Sequence, residues 1–315
     1  MMNQENRPPP NSKPSRLARV VRGKLDKPIR VALVGTDGLG KSTWASHAPR
    51  PVFIGAEDGT ASLDVERMPE VFSWADILDC VDELATGDHK YQTVVLDTAD
   101  WAEPLCWAHV AKLAKKPDVE AMPFGKGYTA ALDQWRVLLS KFERIRNERG
   151  MHIIILAHTW IKTFKNPENV GDYDRFEMKL HAKASGLIRE WADCVLFGNY
   201  ETFTNETNGR VKGVSTGARV VHTQRTAAWD AKNRYDLPPT LPLDWEAFAH
   251  AVAAHKPAEP AKLRERIARL LESASPELRA RVEPAVAKAA DDAAKLARIA
   301  DKLTADIGIA SQEHG

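Results

Sequence analysis

The stretch Gly35-Thr36-Asp37-Gly38-Leu39-Gly40-Lys41-Ser42-Thr43 sets two glycines, a lysine and a hydroxyl in the order Gly-x-x-x-x-Gly-Lys-Ser. Phosphate chemistry needs those groups. Glycines let the backbone turn tightly enough for its N–H groups to close around phosphate oxygens. Lys41 brings a charge for the β- and γ-phosphates, and the Ser42 hydroxyl suits Mg²⁺. The segment therefore reads as a P-loop for a nucleoside triphosphate. A structural glycine turn is the bland alternative.

Further candidates end apolar runs. Tyr91-Gln-Thr-Val-Val-Leu-Asp97-Thr98 has the Walker B form, in which the Asp holds the Mg²⁺ and its water shell. Pro51-Val-Phe-Ile-Gly-Ala-Glu57 ends on a carboxylate before a glycine turn, and Met151-His-Ile-Ile-Ile-Leu-Ala-His158 ends on an imidazole.

These groups can act together only if their elements deliver them to one place. Ile29–Val34 is an apolar, β-branched run that suits a buried parallel strand, and the residues after Lys41 can be helical up to Pro49. The helix N-terminus adds its positive dipole end to the phosphate site. Residues 129–149 carry Leu132, Trp135, Leu138, Leu139, Phe142 and Ile145 on one helical stripe, which reads as core packing. Strand and helix alternate, so the fold class expected is α/β with a mainly parallel central sheet and right-handed crossovers. Ligands bind at the carboxyl ends of such strands. The P-loop, Asp97 and His158 converge there, and His158 is expected near the γ-phosphate rather than in the core.

Thr159–Lys179 reads as an irregular, mixed-charge loop, and long loops in compact domains tend to be functional. Trp160, Lys162, Phe164 and Lys165 interleave rings with cations, which suits single-stranded nucleic acid: stacking for bases, charge for phosphates. A surface loop with scattered charges is the alternative. Beyond it, Ala182–Trp191 is predicted as a helix, 192–198 as a buried strand and 204–216 as a hairpin loop. The core closes at the Pro-rich stretch Leu237–Leu243.

Three regions follow. Residues 1–27 are Pro-rich and basic, too polar to fold alone, and form an arm that either touches nucleic acid or a neighbouring subunit, or is solvated. Residues 28–254 form the catalytic domain, and 255–315 a helical tail with balanced outer charges. A net charge of +1 leaves nucleic-acid binding to local patches. Cys80, Cys106 and Cys194 are isolated, which predicts reduced cytoplasmic thiols and no zinc site. No run reaches membrane-spanning length and the first residues lack a leader's apolar segment, so no membrane partner is expected.

Over residues 28–248 the chain resembles the RecA-like ATPase core, and in particular phage-type AAA/RecA-like ATP-binding proteins that serve as single-strand annealing recombinases. The P-loop is similar to RecA's, including the acidic third position, Asp37. Phe53-Ile-Gly-Ala-Glu57 resembles the strand whose Glu activates the attacking water, and Val94-Val-Leu-Asp97-Thr98 the Walker B strand. Ile153–His158 resembles the strand that opens RecA's second DNA-binding loop, with His158 in place of Gln. Lys232-Asn-Arg234-Tyr235 is similar to the K-N-R-F motif of RadA, whose basic residues reach a neighbour's nucleotide. No N-terminal element like RecA's polymerisation segment is present, and 256–315 matches no known pattern.

The resemblance implies Mg²⁺-dependent ATP hydrolysis coupled to single-stranded DNA in recombination or annealing, in a homo-oligomer or filament. It makes Glu57 the base, and Lys232 and Arg234 fingers supplied in trans. A P-loop kinase of a small acceptor is one alternative, although an Arg-rich lid is missing. A non-catalytic nucleotide-binding accessory factor of phage replication is another.

Overall fold

The computed structural model describes Leu17, Val20 and residues 25–57, 59–165, 171–207, 210–255 and 260–313, with backbone alone at 203–207, 210–215, 294 and 308–313. The expected arm at 1–27 thus falls almost wholly outside the described residues, as do 256–259 of the linker into the tail.

Strand β1 (Arg30–Gly35) is the apolar run before the glycine loop. It is followed by helix α1 (Lys41–Ser46), β2 (Pro51–Gly55), β3 (Glu66–Arg67), α2 (Trp74–Thr86) and β4 (Thr93–Asp97). Then come α3 (Ala99–Leu113), α4 (Lys126–Glu148), β5 (His152–Phe164), β6 (Tyr173–Met178) and α5 (Ala182–Trp191). The domain continues with β7 (Cys194–Thr207), β8 (Arg210–His222), β9 (Lys232–Asn233), β10 (Thr240–Pro242) and α6 (Trp245–His255).

The main strand order is β10-β8-β7-β1-β5-β4-β2-β3, with β6 on β5 and β9 on β7. From β7 to β3 every neighbouring pair is parallel, and β8 and β10 extend the sheet antiparallel. Alternate β1 side chains serve opposite layers. Ala32 and Val34 pack into a cluster with Trp74, Trp135 and Phe142 from α2 and α4, while Val31 and Leu33 join Trp44, Trp245 and Phe248 from α1 and α6. Both faces are covered, which is why the strands read as continuous apolar runs rather than alternating ones. The Ser73 hydroxyl caps α2 by accepting from the Asp76 amide at 3.3 Å.

The chain leaves β1 towards β2 on one side and returns to β7 on the other, so β1 stands where the strand order reverses. The crevice at such a point lies outside the carboxyl ends. Register aligns those ends: Gly35 is level with His158, and Gly55 with Asp97.

Two local expectations are corrected. Within Thr159–Lys179 the described residues are mostly strand rather than irregular loop, and 166–170 lie outside the described residues. Strand β5 runs on to Phe164 and pairs antiparallel with β6, setting Trp160 opposite Glu177, Lys162 opposite Arg175 and Phe164 opposite Tyr173. A tertiary anchor stabilises this hairpin: the Phe176 amide donates to the Ala228 carbonyl at 2.8 Å, and its ring lies 5.1 Å from that of Phe197. Residues 204–207 and 210–216 are strand rather than loop, since β7 and β8 pair as far as Thr207 and Arg210, and 208–209 lie outside the described residues.

The chain divides into two compact units, 27–255 and 1–26 with 256–315. Within the second, α7 (Pro260–Glu272), α8 (Pro276–Ala289) and α9 (Ala293–Glu313) bury Leu263, Ile267, Val282, Leu296 and Leu303 together. These apolar residues recur at helical spacing within the tail.

Candidate active site

The loop between β1 and α1 turns on Gly38 and Gly40, at φ +67 and +97, a region that side chains rarely adopt. Helix α1 stops at Ser46, short of Pro49, so its first-turn amides are on offer rather than a long dipole. Lys41 is buried, and its ammonium donates to the Gly35 and Thr36 carbonyls at 3.3 and 3.0 Å. Burial lowers its pKa, opposed by the nearby Asp100, Asp37, Asp97 and Glu57. The ammonium is parked on loop carbonyls that a phosphate would displace.

Asp97 is fully buried at the end of β4, and its Oδ2 accepts from the Ser42 hydroxyl at 2.6 Å. Its Oδ1 has no hydrogen-bond partner. Burial raises its pKa, with the Ser42 hydrogen bond acting against that. A buried, half-satisfied carboxylate is costly and calls for a cation. Among the described residues no group of three or more His, Cys, Asp or Glu is arranged to hold a metal ion. Ser42 and Asp97 are both oxygen donors, a pair whose chemistry would suit Mg²⁺.

Glu57 follows β2, and its amide and that of Ala56 donate to the Asp97 carbonyl at 3.4 and 2.7 Å. This ties the Glu57 turn to the Walker B strand. Burial raises its pKa, so the carboxylate is a stronger base than one in water. A cavity of about 250 Å³ is lined by Gly40, Lys41, Ser42, Thr43, Glu57 and His158 among others. Of the sequence-predicted phosphate, metal and base groups, Gly38, Gly40, Lys41, Ser42, Thr43 and Glu57 line that cavity, and Asp97 is joined to it through Ser42.

His158 stands at the level of Gly35 with two carboxylates around its ring. Its Nδ1 lies 2.9 Å from Asp100 Oδ2 and its Nε2 3.3 Å from Asp37 Oδ1, while its amide donates to Asp100 Oδ1 at 2.9 Å. The Asp100 hydrogen bond raises its pKa against the effect of burial. For Asp100, burial pushes the pKa up, but the hydrogen bonds from His158 outweigh it and hold the value below the usual range. Asp100 was not singled out from sequence. Its signal was its place in the first turn of the helix after Asp97.

Trp160, Lys162 and Phe164 alternate along β5 and so share one face of the hairpin. The Lys162 ammonium lies 4.8 Å from the centre of the Trp160 ring, and Phe164 packs 5.3 Å from Tyr173 with the Arg175 guanidinium over it. Lys165 is exposed just beyond the strand.

Lys232 and Arg234 are elsewhere. Strand β9 pairs with β7 at Cys194 and Val195, level with Val31 and Ala32 near the start of β1, away from the phosphate end. The Lys232 ammonium donates to the carbonyls of Arg189, Glu190 and Ala192 at 2.9, 3.0 and 2.8 Å, satisfying the C-terminus of α5. Arg234 pairs with Asp193, which also binds Arg30 and Arg146. Within the single chain these contacts occupy Lys232 and Arg234, so a finger role in a neighbour's site would require Lys232 to leave the α5 carbonyls and Arg234 to leave Asp193.

A family model described as "AAA domain" matches residues 27–235. No curated protein sequence matches the chain. Solved structures similar to it include one described as "Crystal structure of the RadB recombinase", 10% identical, covering 62% of this chain and 80% of that one with a TM-score of 0.36.

Proposed function

The chain belongs to the AAA domain family, and from that premise we propose that it binds ATP at the carboxyl edge of the sheet and hydrolyses it to act on single-stranded DNA. One observation carries the reading: Ser42 and the half-satisfied Asp97 lie beside Lys41, with Glu57 across the same cavity. A bound Mg²⁺ would supply charge neutralisation for the triphosphate. Ser42 and Asp97 would hold it. Lys41 leaves the Gly35 and Thr36 carbonyls for the β- and γ-phosphates. Glu57 orients a water molecule and takes its proton. His158, fixed by Asp100 and touching Asp37 in the loop, places an imidazole beside the position of the γ-phosphate and begins the hairpin directly after it. Trp160, Lys162, Phe164 and Lys165 supply rings and cations on that hairpin. Phosphate occupancy and DNA grip thus share one strand, β5.

The test is ATP turnover with and without single-stranded oligonucleotide. Stimulation by the oligonucleotide is expected. Lys41→Ala should abolish tight ATP binding, whereas Glu57→Gln should bind ATP and lose turnover by about 10²–10⁴-fold. Trp160→Ala should weaken oligonucleotide binding by about 1–3 kcal/mol. Phe164→Ala should cost less, because its ring is already stacked within the hairpin. Parental turnover in Glu57→Gln would remove the base, and unchanged oligonucleotide affinity in both hairpin variants would remove the DNA site.

A further inference from the structure

Two side chains that belong to no motif touch the outside of the phosphate loop. Arg219 Nη1 donates to the Leu39 carbonyl at 3.1 Å, and the Tyr200 hydroxyl to the Gly38 carbonyl at 3.4 Å. The acceptors are consecutive residues of the loop. The donors are directly opposed on β8 and β7, which puts both side chains on one face of the hairpin. The guanidinium lies so close to Gly40 that a Cβ there would stand 2.6 Å from Nη1.

The hairpin is shaped at this point. Tyr200 pairs with Arg219 and Thr202 with Ser215, so Thr216, Gly217 and Ala218 stand against Glu201 alone. Gly217 takes φ +77, and the Thr216 hydroxyl bonds to the Glu201 carboxylate at 3.1 Å. Such bulges bend a strand pair and re-aim the side chains next to them.

The peptide plane converts these contacts into an effect on phosphate. In a trans peptide the carbonyl and the following N–H point in opposite directions. Holding the Gly38 carbonyl towards Tyr200 turns the Leu39 N–H away from the hairpin. Holding the Leu39 carbonyl towards Arg219 does the same for the Gly40 N–H. We propose that Tyr200 and Arg219 are positioning residues that brace the loop from outside, so that the Leu39 and Gly40 amides are already turned towards an incoming polyphosphate. Arg219 carries the larger share because its donor is charged. The brace lowers the ordering cost of binding and is indifferent to the base. It rests on the reading of this loop as the ATP site.

The experiment is calorimetric titration of the full chain with ATP and, separately, pyrophosphate, both with Mg²⁺, alongside steady-state kinetics. Arg219→Ala should weaken both ligands by the same factor, about 10-fold or more, and Tyr200→Phe by a smaller one. Because the amides hold phosphate in ground and transition states alike, KM should rise while kcat is kept. Arg219→Lys, which still carries a charged donor, should recover part of the affinity, and the melting temperature of the nucleotide-free protein should match the parent's. Unchanged affinity in Arg219→Ala would overturn the brace, and so would a loss for ATP without one for pyrophosphate, which would mean contact with base or ribose. Should Arg219→Ala fail to fold, Arg219→Gln is titrated in its place against the same outcomes. Lys41→Ala in the same titration separates the two levels. Its loss of binding beside an unaffected Arg219→Ala refutes the brace alone, whereas parental affinity in Lys41→Ala refutes the phosphate site and the brace with it.

Discussion

His158 is held between a buried carboxylate and an exposed one, and the two are not equivalent. The Asp100 side chain is 3% exposed and that of Asp37 89% exposed. Solvent screens the Asp37 contact, so the Asp100 bond dominates the imidazole. This has a pH signature with a definite sign. The folded-state pKa of His158 lies above its ordinary 6.5. Its contribution to stability is present in full below pH 6.5 and is lost as pH rises through the raised value. That of Asp100, whose folded value lies below 3.8, is present above 3.8 and lost as pH falls through the depressed value. The melting temperature should therefore fall above pH 6.5 more steeply in the parent than in His158→Gln. Parallel profiles for the two would show that the imidazole does not titrate against Asp100 in this way.

Strand β9 is only Lys232–Asn233, yet it closes the end of a helix. The last carbonyls of a helix have no partner within it, and Lys232 meets those of Arg189 and Glu190 together with that of Ala192 just beyond. The neighbouring Asn233 side chain donates from Nδ2 to the Thr223 carbonyl at 3.2 Å and accepts at Oδ1 from the Leu237 backbone amide at 2.9 Å. The segment is a clasp between α5 and the approach to β10. Lys232→Ala should lower stability by about 1–3 kcal/mol, read as a lower melting temperature. Turnover per folded molecule, measured well below that temperature, should be unchanged. A selective loss of turnover at parental stability would instead support the trans-finger role.

The two units each have their own apolar centre. Both clusters that cover the sheet are drawn from residues between Ile29 and Val252, and the third from Leu263 to Ile307. A chain ended after His255 should accordingly melt cooperatively and keep ATP affinity within about 2–3-fold of the full chain, the spread expected when no binding group is removed. A truncated protein that is folded but has lost ATP would place the helical unit in the nucleotide site. Among the described residues no helix is long and apolar enough to cross a membrane.

The phosphate loop, the strand-borne Asp97 and His158, the α/β alternation and the helical tail were legible in the sequence because each is a local matter. A loop that wraps phosphate is contiguous, and a strand buried on both faces announces itself within six residues. Register then carries such strand ends to one edge without further instruction. The remainder depended on contacts between distant residues that no short window encodes. Asp100 gained its meaning from a histidine 58 residues away, and Arg219 from a carbonyl 180 residues away. The 159–178 segment looked like a loop because its strand character rests on pairing across the hairpin and on Phe176 meeting Phe197. Lys232 reads as a finger because its type and motif fit one. What it donates to was decided by the packing of β9 against β7, which brings the end of α5 within reach of its ammonium.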